Sequence, residues 1–192
     1  MRRAIILALW LGNLATSAVA QTSDAGADQA LSTSLAATAK AMHASIRRNL
    51  AEAAESMPAE EYGFRPTPEV RTFAQLIGHV TNANLLFCSG AKGEPFPSKS
   101  NAEGLTTKEA ALTVLLDSLA YCDAVYNDTT DANFGERASL SGLGNKPTVT
   151  TRGATLMFNT THNNEHYGNI VVYLRLKGLV PPSTARVQAG RR

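Results

Sequence analysis

Apolar residues recur every three or four positions along four stretches of this chain, and residues that start or stop helices bound each stretch. The first covers residues 31–57, where Leu35, Met42, Ile46, Leu50 and Met57 fall at helical spacing among many alanines. Pro58 ends it, and Pro66 and Pro68 make 62–70 a rigid, extended connection. Thr72 with Gln75 is a capping-box pattern that opens a second helix through residue 91, with Leu76, Val80, Ala83 and Phe87 as its stripe. A connection over 90–104, containing Pro95 and Pro97, leads to a third helix that runs to residue 127. Thr106 with Glu109 predicts its start as another capping box. Residues 128–147 are rich in Gly, Asn, Asp and Ser and carry no periodicity, so they read as irregular. The fourth helix spans 151–177. Arg175 and Lys177 complement its negative end, Gly178 fits the cap, and Pro181 with Pro182 stops it. Residues 183–192 read as a loose tail. No strand alternation or internal repeat is evident, and four helices with one apolar face each predict an all-α four-helix bundle.

The N-terminus has a different character. Arg2 and Arg3 precede a short apolar run over 4–11, and Ala18-Val19-Ala20 forms a small-residue cleavage pattern. That run is too short to span a bilayer, which needs ~20 apolar residues. Residues 1–20 therefore read as a signal peptide, 21–30 as a flexible lead-in, and the protein as exported, to a periplasm or the exterior. No later segment would anchor the chain in a membrane. Without Arg2 and Arg3 the basic count falls from 18 to 16, against 16 acids. A near-neutral chain argues against a nucleic-acid partner. With 192 residues, 44% of them hydrophobic, the length suits a single core.

The chain has four histidines, and two lie four apart in H-N-N-E-H, His162 and His166. On a helix this spacing stacks two imidazoles on one face, ~6 Å apart. His79, which neighbours Leu76, Ala83 and Leu86 at helical spacing on the second helix, can supply a third. Three neutral imidazoles suit a divalent transition metal, zinc or nickel above all, and leave an open position of the kind catalytic sites keep. Glu165 lies beside the pair as a possible orienting group, proton acceptor or solvated charge. His43 shares its flank with Arg47 and is expected to be exposed. The bland alternative is that the histidines are packing or surface residues.

H-N-N-E-H also matches H-x-x-E-H, the inverted zinc-protease pattern. Such an enzyme needs a third, acidic ligand downstream, and residues 167–192 contain no Asp, Glu or His. Neither a Ser-His-Asp arrangement nor a phosphate-binding loop stands out, since G-L-G-N at 142–145 lacks the strand and helix such a loop requires. Asn127 and Asn159 begin glycosylation acceptor patterns, the second inside a predicted helix.

The histidine in L-I-G-H-V-T-N-A-N, the pair in T-H-N-N-E-H-Y-G-N-I-V-V-Y-L-R-L-K-G and the closing V-P-P-S together resemble the DinB-like superfamily of metal-binding four-helix proteins. The resemblance covers residues 31–182. It implies a metal triad of His79, His162 and His166, and an up-down-down-up topology with a long crossover between the second and third helices. Members of the family are chemically diverse, including thiol-dependent transferases and metal-dependent hydrolases. An export signal departs from the members that use cytosolic thiols.

Cys88 and Cys122 complete the inventory. Cys88 follows His79 by nine residues, about 900° of rotation and ~13 Å along the helix, so it faces away from the histidine site. Were the second and third helices antiparallel neighbours, the two sulfurs would be out of bridging range. Parallel helices bring them level, and the 90–105 connection, ~50 Å when extended, is long enough to run back along the bundle. A bridge therefore implies the same topology as the resemblance, and the alternative is two buried free thiols. Two functions follow as expectations. One is a metal-dependent, hydrolase-like enzyme acting on a small molecule. The other is a non-catalytic metal- or ligand-binding module of the cell envelope. Either is compatible with a homodimer.

Overall fold

The structure, a computed structural model, describes residues 34–97, 101–141 and 147–191. The expected signal peptide and lead-in, and the G-L-G-N segment, lie outside the described residues. Among the described residues there are five helices and one two-stranded sheet. Helix α1 (Leu35–Ser56) starts at Ser34, whose hydroxyl accepts from Ala37 N, and ends at Met57 before Pro58. Its buried face is Ala36, Ala39, His43, Ile46, Leu50, Ala53 and Ala54. The expected stripe was displaced at its N-terminal half: Leu35 and Met42 are 61% and 47% exposed, while alanines and His43 face the neighbouring helices. Small residues there let α1 approach closely, and the large apolar side chains remain on the outside.

A 3-10 turn (Ala59–Glu61) follows, and Tyr62 folds back to donate its hydroxyl to Ala54 O at 2.7 Å. Helix α2 (Phe73–Lys92) opens with the expected capping box. Thr72 accepts from Gln75 N, and the Gln75 side chain accepts from Thr72 N. It closes at Gly93 in the left-handed conformation, φ 79°. The connection to the next helix carries a second 3-10 turn (Ala102–Gly104) that packs tightly on α2. A Cβ at Gly78 would stand 2.2 Å from Ala102 O, so glycine is what admits this turn. Asn82 Oδ1 accepts from Ala102 N and pins it.

Helix α3 (Lys108–Asn127) is capped by Thr107, not by Thr106, and the expected capping box is absent. With the cap one position later, Ala110 occupies the third helical position and has no side chain to complete the box. After α3 the expected irregular segment contains a hairpin. Strand β1 (Arg137–Leu140) pairs antiparallel with β2 (Thr148–Thr151), Arg137 opposite Thr151 and Leu140 opposite Thr148. Four-residue strands are too short to show alternation. Leu140 is held by burial against Ala83 and Phe87 on α2.

Thr151 ends β2 and caps helix α4 (Arg152–Leu176), which stops at Lys177 and Gly178, φ 73°. The expected loose tail is instead a short helix, α5 (Pro182–Ala189), with proline at its first position. It is tied down by Ser183, bonded to the Tyr167 hydroxyl through both Oγ and N, and by Arg186, bonded to Glu52 and Asn49.

The four long helices share one core, in which Ile46, Leu50, Phe73, Ile77, Leu115, Leu119, Ile170 and Leu174 are all fully buried. A second cluster surrounds a Cys88–Cys122 disulfide, with a Cα–Cα distance of 5.4 Å. The bridge joins the C-terminal halves of α2 and α3. No helix among the described residues is long and apolar enough to cross a membrane.

Candidate metal centre

His79 lies in the second turn of α2, on a backbone fixed by the Thr72 cap and held against the 3-10 turn by Gly78. His162 and His166 lie one turn apart near the middle of α4, with Asn163 between them buried and donating to Asn84 Oδ1 of α2 at 2.8 Å. That buried amide pair sets α4 against α2 at the level of the histidines.

The three rings converge. Their centroids are 5.3 Å apart for His79 and His162, 4.7 Å for His79 and His166, and 4.4 Å for His162 and His166. One nitrogen from each lies within 4.8 Å of the others. The Nε2 atoms of His162 and His166 stand 3.1 Å apart. Two ligands of a tetrahedral ion at ~2.05 Å would be ~3.3 Å from one another, so the pair is already near that spacing.

Electrostatics keep the two α4 rings, His162 and His166, neutral. Burial first, then the neighbouring His166, His79 and Arg71, push the His162 imidazole down to about 4. Burial, with His79 and Arg71, also lowers His166, against a smaller opposing effect of Glu165 and Glu103. A neutral imidazole offers a lone pair, which is the form that ligates a metal. His79 has its Nδ1 bonded to Glu103 Oε1 at 2.8 Å. Since an ionised carboxylate only accepts, Nδ1 is the donor to Glu103, and Nε2 is the nitrogen left for a metal. Glu103 is itself ionised. Burial alone would raise its carboxyl, but hydrogen bonds from His79 and Arg71 outweigh that and lower it.

The donor set therefore fits a divalent transition ion: three imidazole nitrogens, close together, one ring oriented by a carboxylate. A cavity of about 630 Å³ adjoins it on the His166 side, lined also by Arg71, Leu76 and Tyr173. A smaller one of about 230 Å³ borders His79 and His162, with Phe87 and Phe96 in its wall.

The structure thus brings together His79, His162 and His166. It does not bring in Glu165, which is exposed and makes no hydrogen bond or ion pair among the described residues. His43, expected at the surface, is buried at 2% exposure. Its Nε2 bonds Asp123 at 2.8 Å, and its ring stacks on Tyr126 with centroids 3.9 Å apart. Asp123 on α3 supplies the polar partner that makes this burial tolerable, while desolvation lowers the imidazole below its ordinary range. Asn159 is buried beside the disulfide and donates to Tyr126 Oη, so its acceptor pattern is closed to modification. Sequence reasoning missed Glu103 and Arg71. Both belong to connections rather than helices, where no periodicity marks a residue as facing the site.

A model of the DinB superfamily matches residues 42–170 of the chain. The solved structure of a DinB-like protein from Bacillus cereus ATCC 10987 superposes with a TM-score of 0.58 at 19% identity, covering 71% of this chain and 89% of that one. At that identity the likeness bears on fold alone. No curated protein matches.

Proposed function

The chain belongs to the DinB superfamily, and on that footing we propose that His79, His162 and His166 hold one divalent transition metal, zinc or nickel, at the centre of an enzyme acting on a small molecule. The observation that carries this is the meeting of three imidazoles, one of which, His166, lines a cavity of about 630 Å³. A cavity of that size accommodates a small ligand, and a three-nitrogen set leaves a coordination position free. The ion supplies Lewis acidity toward a carbonyl or similar oxygen, which favours hydrolase-like chemistry. The protein's own part is to orient His79 through Glu103, keep His162 and His166 neutral by burial, and wall the reacting centre with Leu76, Tyr173 and Phe87.

The wider reading has four long helices in up-down-down-up order, with a long crossover between α2 and α3. The disulfide supports it, because a bridge between the C-terminal halves of α2 and α3 suits two helices that run the same way. On this reading the domain spans 31–182. Export to a periplasm or the exterior is supported by the N-terminal pattern and by the same bridge, since disulfides persist in oxidising compartments.

A second reading, a non-catalytic metal- or ligand-binding module of the cell envelope, is favoured by one detail. Glu103 is occupied by His79 and Arg71, and Glu165 is exposed, so no free base stands at the triad among the described residues. Panels of small esters, amides and lactones distinguish the two. The enzyme reading predicts turnover that a chelator abolishes and added zinc or nickel restores. Silence across the panels from protein that keeps its metal would contradict it and favour the binder.

A further inference from the structure

Beside the imidazoles stands a guanidinium with its outer edge uncommitted. Arg71 directly precedes the cap of α2, at the end of the proline-bounded connection. Its backbone is held by the Tyr173 hydroxyl, which donates to Arg71 O at 2.6 Å. Its Nε donates to Glu103 Oε2 at 3.0 Å, while Oε1 of the same carboxylate accepts from His79. One carboxylate therefore fixes both the imidazole and the guanidinium, and so sets the distance between them. The terminal Nη1 and Nη2 of Arg71 make no hydrogen bond among the described residues. Arg71 lines the larger cavity together with His166, and the remaining wall is largely apolar, with Val70, Leu76, Val172 and the Tyr173 ring.

We propose that Arg71 is the anion-binding residue of this site, and that its ligand is a small monocarboxylate with an apolar body, lodged between the guanidinium and the imidazoles. The inference rests on the metal-site reading and adds the substrate class to it. Two parallel N–H groups on a planar edge match a carboxylate, and a charge-assisted pair of this kind is among the stronger polar contacts. A doubly charged phosphate fits less well. Among the described residues Arg71 is the one Arg or Lys lining that cavity, and Glu103 already takes part of its charge. Glu69 also borders the cavity, but its carboxylate is held by Thr67 with Arg65 nearby, at the exposed rim. The apolar wall suits the rest of the molecule.

The test is calorimetric titration of zinc-loaded protein with 3-phenylpropionate, its neutral amide and acetate, with zinc content measured on each sample. The phenyl carboxylate should bind at least about tenfold more tightly than either comparator. Arg71→Gln should lose on the order of tenfold or more in affinity while retaining zinc; Arg71→Lys should lose less, and Glu69→Gln should lose none. Equal binding of acid and amide to the wild-type protein, no binding of the acid, or an Arg71→Gln variant that binds it unchanged would overturn the proposal. Those results leave the metal site standing if zinc is retained. Wild-type protein that takes up no zinc would instead overturn the reading beneath it.

Discussion

Of the three imidazoles, His79 has its outer nitrogen held by a carboxylate, whereas the Nδ1 atoms of His162 and His166 are buried without a partner. The orientation of the site therefore leans on Glu103. Replacing it with alanine should weaken metal affinity by roughly 10- to 100-fold with little loss of fold, because the residue lies on a connecting turn. Competition with a chromogenic chelator reads this directly, and an unchanged affinity would remove Glu103 from the site. His43 bears on stability instead. Burial holds its folded-state value below the ordinary ~6.5, so the unfolded chain takes up a proton more readily. Its contribution is present above about pH 6.5 and is lost as pH falls through the lowered folded value. Urea denaturation at pH 7.5 and 5.5 should show a larger acid loss for wild type than for His43→Gln, and equal losses would contradict this. The triad was legible because the i,i+4 spacing and helical stripes state where side chains point. His43 was misread because Met42, large and apolar, drew the stripe one position away from the alanines that pack.

At the level of elements, helix ends written in local chemistry were readable. Thr72 with Gln75, Pro58, and Gly178 before Pro181 all mark real boundaries within a residue or two. The hairpin was not legible, since its pairing is settled by β1 meeting β2 and by Leu140 reaching α2, contacts that no local pattern announces. Helix α5 escaped for a similar reason: its hold on the domain comes from Tyr167, Glu52 and Asn49, all distant in sequence. The disulfide ties α2 to α3 across 34 residues, which by loop entropy should contribute about 3 to 4 kcal/mol. A Cys88→Ala, Cys122→Ala double variant should unfold at distinctly lower denaturant yet keep its metal, because the bridge lies ~13 Å along α2 from His79. An unchanged midpoint would show that the bridge carries no stability.

In the molecule as a whole, α2 and α4 each bring one side of the site, and buried contacts hold them in register. Asn163 bonds Asn84, and the Cys122 sulfur of the disulfide lies against the same α2 segment. Binding that couples two helices should stabilise the folded state by mass action, about 2.7 kcal/mol at a free-metal level 100 times the dissociation constant. The central claim is that three imidazoles from two helices act as one ligand set, and elemental analysis of purified protein tests it most directly. Wild type should carry close to one zinc or nickel ion per chain, and His79→Ala and His162→Ala should each lose most of it while remaining folded by circular dichroism. A folded His79→Ala protein that retains the wild-type metal content would contradict the account.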